Sequence, residues 1–421
     1  MDVVIHIHGG AFQKGSALTK ALPDYVMDKD VILVTINYRL GAVGFLSTHD
    51  KLVPGNMGLK DQNLAMKWIK NNIKSFGGNL DSITLTGASA GAMSVHYHFV
   101  SPLSVGLFNR AYSFSGTAMN PRALEKEPLA MAKKFSKKLK CPIDSTKRMV
   151  ECLREQPMEK LFRTKLLFRP TIEKGNSYQF LPEHPYKLIK EGKFMDVPWI
   201  TTNVADEAFF LLNGIYKERR ALEVLGRWTT AGSELLELDH TVSEEDILDT
   251  LEKIKIEYFG NENLTEEKAL DRLNRVLTDR HFFVGSDLIL RSQALKMKSP
   301  IYYYISKFVP EDHIDCGGKP GTPSHCTDIK LLFKASTNPI KLKPQEEKMM
   351  FLFTESLEHF SQTGIPKMGD VEWLPIDPLK NTLNVLRIES PDNIKMVEES
   401  QLIDRKFWQS LPIKENDKIY C

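Results

Sequence analysis

A serine between two glycines is the most chemically suggestive feature of the sequence. Residues 87–91 read Gly-Ala-Ser-Ala-Gly, after the apolar and β-branched run 83–86 and before the apolar segment 92–99. This pentapeptide between a strand and a helix is typical of a nucleophile elbow, a sharp turn that lifts the serine Oγ above a sheet. Small residues also form such patterns by chance, so the strand-turn-helix setting matters. The setting predicts that Ser89 is a nucleophile.

A second glycine turn lies upstream. Residues 8–12 read His-Gly-Gly-Ala-Phe and follow the apolar run 3–7. Acyl transfer requires amide donors at the position where an oxyanion develops, and a turn of small residues lets the backbone approach that position. An isolated Gly-Gly pair would indicate an ordinary loop. The order, with this turn upstream of the elbow, favours an oxyanion loop.

A serine hydroxyl needs a base to remove its proton, and the base needs an acid that fixes its tautomer. In folds with such an elbow the chain order is Ser, then Asp or Glu, then His. His325 satisfies this order, in a Gly/Pro-rich loop after a strand-like run. We interpret His96 and His98, in the helix after the elbow, as packing or surface residues.

The acid has two candidates. Glu207 and Asp206 both follow a predicted strand, at the carboxyl end where ligand-facing groups of parallel sheets lie. We favour Glu207, with Asp206 as its rival.

These residues require a scaffold of alternating strands and helices. The sequence predicts strands at residues 31–36, 83–86, 110–115, 197–202 and 302–308, and helices at 61–74, 244–255, 266–276 and 344–360. Leu64, Trp68 and Ile69 are expected on one buried face of the 61–74 helix. Alternation of this kind favours a mostly parallel sheet flanked by helices. We therefore expect one α/β domain over residues 1–421, with a largely helical excursion between residues 121 and 293.

Composition excludes several other classes of protein. The 421 residues are 42% hydrophobic and 26% charged, and the formal net charge is +2. Such a balance provides no global field for nucleic acid or acidic membranes. No apolar run approaches the ~20 residues that span a bilayer. A globular enzyme with no nucleic-acid partner and no membrane span is the expectation.

The cysteine spacing allows either a disulfide or unpaired thiols. Cys141 and Cys152 are close enough in sequence for a bridge that stabilises by about 2–3 kcal/mol, or they are two unpaired thiols. Cys316 and Cys326, in a loop-like stretch, are expected to be unpaired. With Cys421 the total is five, which is odd, so at least one thiol is unpaired.

Taken together, the chain resembles the type-B carboxylesterases, a family that includes the cholinesterases, and especially the insect carboxylesterases. The resemblance covers essentially the whole chain. It rests on these segments: 7–12, 37–41, 58–62, 76–79, 87–91, 96–98, 115–116, 152–154, 206–207, 324–325 and 407–408.

The resemblance implies an α/β-hydrolase fold and a function. Ser89 would be the nucleophile of a serine esterase, Glu207 the triad acid and His325 the general base. The oxyanion-hole amides would come from Gly10, Ala11 and Ala90. The substrate would be a small-molecule carboxylic ester, organophosphates would inhibit, and no metal or organic cofactor would be needed.

The resemblance also implies structural features. Cys141 and Cys152 would form a disulfide, which indicates an oxidising compartment and a secreted or secretory-pathway protein. Arg39 and Asp61 would form a buried ion pair. Asn263 begins an N-x-T sequon and is the glycosylation candidate.

The chain departs from the family pattern in several places. Ala88 stands where an acidic or amide residue is usual before the nucleophile, and Ala208 replaces a common glycine after Glu207. Thr322 and Pro323 occupy positions where a glycine is usual before the histidine. After it, Cys326 and Thr327 are unusual whereas Asp328 keeps the second acid. Family members also begin well upstream, so we expect a chain N-terminally truncated relative to the family.

The alternative is a catalytically weak or silent relative that acts in binding or adhesion, because the same fold serves adhesion proteins. In those proteins the serine or histidine is typically lost, whereas this chain keeps both, together with the acid. A lipase is less favoured because the sequence has no obvious amphipathic lid.

Overall fold

A computed structural model describes residues 1–175, 178–239, 241–310, 319, 321–334 and 342–413. Its strands are β1 Asp2–Ile7, β2 Val31–Ile36, β3 Ile83–Ala88, β4 Arg110–Phe114, β5 Trp199–Val204, β6 Ile301–Ser306, β7 Leu383–Ser390 and β8 Asn393–Glu399.

The first helices are α1 Ala17–Lys20, α2 Gly41–Phe45, α3 Met57–Asn72, α4 Ala90–Val100, α5 Pro128–Lys138, α6 Thr146–Arg154, α7 Met158–Phe162 and α8 Pro185–Lys190. They are followed by α9 Phe209–Glu218, α10 Ala221–Gly226, α11 Trp228–Leu236, α12 Ile247–Phe259, α13 Glu266–Thr278, α14 Val284–Ser292, α15 Pro344–Thr363 and α16 Arg405–Ser410. Short 3₁₀ turns occupy Ile73–Phe76, Pro102–Ser104 and Asp328–Leu331, and Asp279–Phe283 is a π-helical segment.

Across the described residues, the strands form one sheet in the order β2-β1-β3-β4-β5-β6-β7-β8. All neighbours are parallel except β7 and β8, which pair antiparallel. The carboxyl ends of β3, β4 and β5 lie in register, with Ala88 beside Phe114 and Phe114 beside Thr202. This register brings the segments that follow these strands to the same edge of the sheet.

Helices cover both faces of the sheet, because alternate side chains of each buried strand enter different cores. In β1, Val3, Ile5 and Ile7 pack in the core that contains α3 and α4. Val4 points to the opposite core, which contains the inner face of α15. Central strands buried on both faces are typical of parallel sheets. The predicted fold class, a mostly parallel sheet flanked by helices, is confirmed.

One detail of α3 differs from the prediction. Leu64 and Trp68 are 67% and 54% exposed, whereas Ile69 is buried as expected. Gln62 and Asn63 are buried instead, because both amides hydrogen-bond to neighbouring residues. Satisfied polar groups can replace apolar ones in a core, so the apolar pattern alone assigned the wrong face.

Both residue pairs that the family resemblance implies are present, but one of them is more exposed than expected. Cys141 and Cys152 form a disulfide, so the reading as two thiols is wrong. Arg39 donates two hydrogen bonds to the carboxylate of Asp61, from Nε at 2.7 Å and from Nη2 at 2.8 Å. This ion pair is not buried as expected, since the Arg39 side chain is 49% exposed. Cys316 and Cys421 lie outside the described residues.

Within the described ranges, no helix has the length and apolar character needed to cross a bilayer.

Candidate active site

The turn between β3 and α4 has the geometry of an elbow. Ser89 adopts a positive φ of 57°, in the left-handed half of backbone space that side chains avoid. Its N–H donates to the carbonyl of Phe114 at 2.8 Å, and its own carbonyl accepts from Met93 at 2.9 Å. The strained residue is thus fixed on one side by β4 and on the other by α4.

A close approach explains the second glycine of the motif. A Cβ built on Gly91 would lie 2.1 Å from the carbonyl oxygen of Ile7, in β1. No real side chain tolerates that distance, so only glycine lets α4 pass over the end of the neighbouring strand. This contact fixes the start of α4 directly behind Ser89.

The loop after β1 lies against the elbow. A Cβ on Gly9 would lie 2.6 Å from the carbonyl oxygen of Ala88 and 3.0 Å from Cβ of Ser89. Ala11 has a positive φ of 55°. Among the backbone hydrogen bonds of the described residues outside helices and strands, none uses the N–H of Gly10 or Ala11 as donor. The role of Gly10 and Ala11 as oxyanion donors stays a prediction.

Ala90 is the third amide of the predicted oxyanion hole. It is the first residue of α4, and the first N–H groups of a helix have no acceptor within the helix. The helix dipole adds partial positive charge at this end. The position of Ala90 suits the stabilisation of negative charge next to Ser89.

The predicted acid and base meet in the structure. Nδ1 of His325 lies 2.6 Å from Oε2 of Glu207. The Glu207 side chain is fully buried, and that of His325 is 11% exposed. An ionised carboxylate only accepts hydrogen bonds, so Nδ1 would be the donor in this contact. In a neutral imidazole of that tautomer, Nε2 keeps its lone pair, as a general base requires.

Glu207 is held by more than the histidine. Its Oε1 accepts from Nδ2 of Asn203 at 2.9 Å and from the N–H of Val204 at 3.0 Å. Asn203 in turn accepts at Oδ1 from Ser286 and Tyr303, both at 2.8 Å. This chain of hydrogen bonds orients the carboxylate before it contacts His325.

Two aromatic rings confine the imidazole. Phe210 stacks on His325 with ring centroids 4.8 Å apart, and Phe282 packs against it at 5.0 Å. Sequence reasoning missed both phenylalanines, because no motif surrounds them and their contacts arise only from the fold. Rings on two sides limit rotation of the imidazole and access of water.

The serine and the histidine are not hydrogen-bonded to each other. Among the hydrogen bonds of the described residues, none joins Ser89 Oγ to the imidazole of His325. Such contacts are often loose without substrate and tighten in the complex. The relation between Ser89 and His325 stays a prediction.

The rival acid contacts a different element. Oδ1 of Asp206 accepts from Nδ2 of Asn274, in α13, at 2.7 Å. Asp206 also pairs with Ser324 in an isolated parallel bridge, which places the loop carrying His325 beside the end of β5. The backbone of Asp206 therefore pairs with the loop and its side chain contacts α13, whereas Glu207 contacts the histidine.

His96 and His98 are packing residues, as predicted. Both are buried, and burial lowers the pKa of His96 to about 4 and that of His98 to about 3. His96 accepts at Nδ1 from the N–H of Ala118, and His98 Nε2 lies 3.1 Å from Oε1 of Gln62. These histidines connect α4 to its neighbours and stay neutral.

A buried acid lies close to this centre. Asp328 is 1% exposed and accepts from Oη of Tyr304 at 2.6 Å and from the N–H of Ile329 at 2.9 Å. Burial, reinforced by the charge of Glu207 and opposed by the hydrogen bond from Tyr304, raises the pKa of Asp328 to about 6. The sequence indicated an acid at this position but not its burial.

The sequence is similar to those of known carboxylesterases. The sequence profile of the Carboxylesterase family matches residues 1–408. A carboxylic ester hydrolase of Bombus ignitus is 35% identical over 99% of this chain and 77% of its own length. Venom carboxylesterase-6 of Apis mellifera is also 35% identical, with the same two coverages.

A solved structure shares the fold. The juvenile hormone esterase of Manduca sexta, with OTFP covalently attached, superposes with a TM-score of 0.84. The match covers 100% of this chain and 81% of the other, at 24% sequence identity. The fold is therefore that of the α/β-hydrolases, as expected.

Proposed function

We propose an acyl-enzyme mechanism on Ser89 for this chain, which belongs to the carboxylesterase family and is a carboxylic ester hydrolase. The observation that carries this proposal is the hydrogen bond of 2.6 Å between His325 and Glu207, at the sheet edge where the elbow also lies. An ordinary surface histidine would not need a fully buried carboxylate as its partner.

In the first half of the reaction, Ser89 Oγ attacks the ester carbonyl and Nε2 of His325 takes the hydroxyl proton. Glu207 stabilises the imidazolium that forms. The amides of Gly10, Ala11 and Ala90 donate to the oxyanion of the tetrahedral intermediate. As the intermediate collapses, the alcohol leaves with the proton from His325 and an acyl-serine remains.

In the second half, water replaces the alcohol. His325 removes a proton from the water as its oxygen attacks the acyl-serine. The second tetrahedral intermediate then releases the carboxylic acid, and the proton returns to Ser89. Organophosphates resemble this tetrahedral species, so we expect them to phosphorylate Ser89.

Substitution of the nucleophile tests the proposal. Ser89→Ala is expected to reduce the turnover of naphthyl acetate by at least about 10⁴-fold, because a residual rate comes only from binding and the oxyanion hole. The matched control is Ser410→Ala, at an exposed serine of α16. Full turnover by a folded Ser89→Ala protein would refute the mechanism. A folded wild-type chain without turnover would favour the silent binding protein.

We also propose that the protein enters the secretory pathway and that residues 1–421 form one domain. A disulfide between Cys141 and Cys152 favours an oxidising compartment, and a similar bee protein is named a venom carboxylesterase. Asn263 is exposed, as a glycan acceptor must be. The sheet, which includes strands from residue 2 to residue 399, supports one domain. A mobility shift after glycosidase treatment tests the glycan.

A further inference from the structure

Two arginines from distant segments share one carboxylate. Arg169 donates to Glu237 from Nη1 at 2.7 Å and from Nη2 at 2.6 Å, which is a bidentate pair. Nε of Arg122 lies 3.2 Å from Oε1 of the same carboxylate. Arg169 therefore makes the bidentate contact, and Arg122 is a second positive charge on the same carboxylate.

The guanidinium of Arg122 is poorly satisfied. Among the hydrogen bonds of the described residues, none is donated by this guanidinium, and Nε is buried without a partner in hydrogen-bond geometry. The side chain is only 29% exposed, so bulk water does not compensate fully. A guanidinium has five N–H donors. Leaving them unused in a partly buried place costs free energy, which an incoming acceptor would recover.

In the described part of the chain, the charged groups that shift the pKa of Arg122 are Glu237 and Arg169. Burial lowers the pKa of Arg122, and Arg169 lowers it further, against the opposing effect of Glu237. The pKa of His281 lies well below its usual value, first because of burial and then because of Arg122. His281 is fully buried and therefore neutral, so it does not add to the charge.

Chain segments that lead to the arginines contact the segments that carry the proposed chemistry. Arg122 follows Gly116 along the segment after β4, and a Cβ on Gly116 would lie 2.7 Å from the carbonyl oxygen of Ser89. On the other side, His281 immediately precedes Phe282, whose ring packs on His325 at 5.0 Å. The carbonyl of Phe168, which precedes Arg169, accepts from Nε2 of Gln13 in the loop after β1. Segments that contain both arginines thus contact the elbow and the glycine loop.

We propose that Arg122 and Arg169 form a subsite for a carboxylate carried by the ester substrate. The planar fork of a guanidinium matches a carboxylate in two parallel hydrogen bonds. The preferred substrates would be monoesters of dicarboxylic acids. Ser89 would attack the ester group, and the free carboxylate would bind to the arginines. This inference rests on the proposed function, because it assigns specificity to the same site.

A pair of matched esters tests the subsite. 1-Naphthyl hemisuccinate carries a terminal carboxylate, whereas 1-naphthyl pentanoate has an acyl chain of similar size without charge. For Arg122→Gln, the ratio of kcat/KM for hemisuccinate to that for pentanoate is expected to fall by about 10–100-fold, the range of one charge-assisted hydrogen bond. The control Arg148→Gln removes a surface arginine whose side chain is 63% exposed, and the ratio should not change.

A second substitution is expected to raise the ratio of kcat/KM for hemisuccinate to that for pentanoate. Glu237→Gln removes the only carboxylate that competes for the two guanidinium groups among the described residues, so the ratio is expected to rise. Circular dichroism and a melting curve confirm that each variant is folded. An unchanged ratio in both variants, or equal losses on both esters, would overturn the subsite.

Turnover of pentanoate distinguishes a failure of the proposed function from a failure of the carboxylate subsite. If the wild type hydrolyses pentanoate and Ser89→Ala does not, the proposed function stands, and the ratio alone decides the subsite. If the folded wild type hydrolyses neither ester, the proposed function and the subsite are both overturned.

Discussion

Nδ1 of His325 and Oε2 of Glu207 are 2.6 Å apart, although 118 residues separate them in sequence. The contact is possible because β5 and β6 are parallel neighbours whose carboxyl ends lie at the same edge. A carboxylate in this position keeps one imidazole tautomer and stabilises the imidazolium. A prediction about the charge of Glu207 follows from this pair.

Glu207→Gln is expected to lower kcat by about 10³–10⁴-fold with little change in KM, since the amide favours the wrong tautomer of the base. Steady-state kinetics with naphthyl acetate measure the effect. Asp206→Asn is the matched control, because Asp206 hydrogen-bonds to Asn274 and not to the histidine. An equal loss in both variants would contradict the role of Glu207.

The unfolding free energy of the wild type relative to Asp328→Asn is expected to fall as the pH rises from about 4 to about 6. Burial raises the pKa of Asp328 to about 6 in the folded protein. Between these pH values the unfolded chain therefore releases the proton while the folded chain keeps it, and the wild type loses stability. Urea unfolding of both proteins from pH 4 to pH 7 measures the difference. A difference that grows in favour of the wild type as the pH rises would contradict the raised pKa.

Gly91→Ala is expected to prevent folding or to lower the melting temperature severely, because the new Cβ would lie 2.1 Å from the carbonyl oxygen of Ile7. Gly214→Ala is the control. Gly214 lies inside α9 with nothing near its Cβ position, and alanine there should stabilise by about 0.5–1 kcal/mol. Thermal melting of both variants measures the difference, and similar melting temperatures would refute the close approach.

The Cys141→Ser, Cys152→Ser double variant is expected to lose about 2–3 kcal/mol of unfolding free energy, because a short loop is no longer closed in the unfolded chain. Urea unfolding with and without reductant measures the loss. Reductant should destabilise the wild type and leave the double variant unchanged. A wild type insensitive to reductant under unfolding conditions would contradict the stabilising role of the disulfide.

Local patterns in the sequence predicted much of this architecture. The limits of β2 are those predicted, Val31–Ile36, because a β-branched run bounded by polar residues has few alternatives. The α13 helix begins at Glu266, as expected, with Thr265 as its N-cap. The elbow and the glycine loop were predicted because each depends on a few adjacent residues.

Features that depend on distant contacts were not predictable in this way. The α12 helix begins at Ile247 and not at Glu244, because Ser243 hydrogen-bonds to Asp246 in a turn. The buried face of α3 was assigned wrongly because amide partners on other elements cannot be read from its own pattern. Arg122, Arg169 and Glu237 come from three separate segments, so no local motif indicates this cluster.

The most direct test of the central claim is covalent labelling of the 421-residue chain with a fluorophosphonate probe, mapped by peptide mass spectrometry beside naphthyl acetate turnover. We expect turnover and one adduct, on the peptide that carries Ser89, with loss of activity in proportion to labelling. Turnover that persists with Ser89 unlabelled, or inactivation that follows labelling of a different residue, would contradict it.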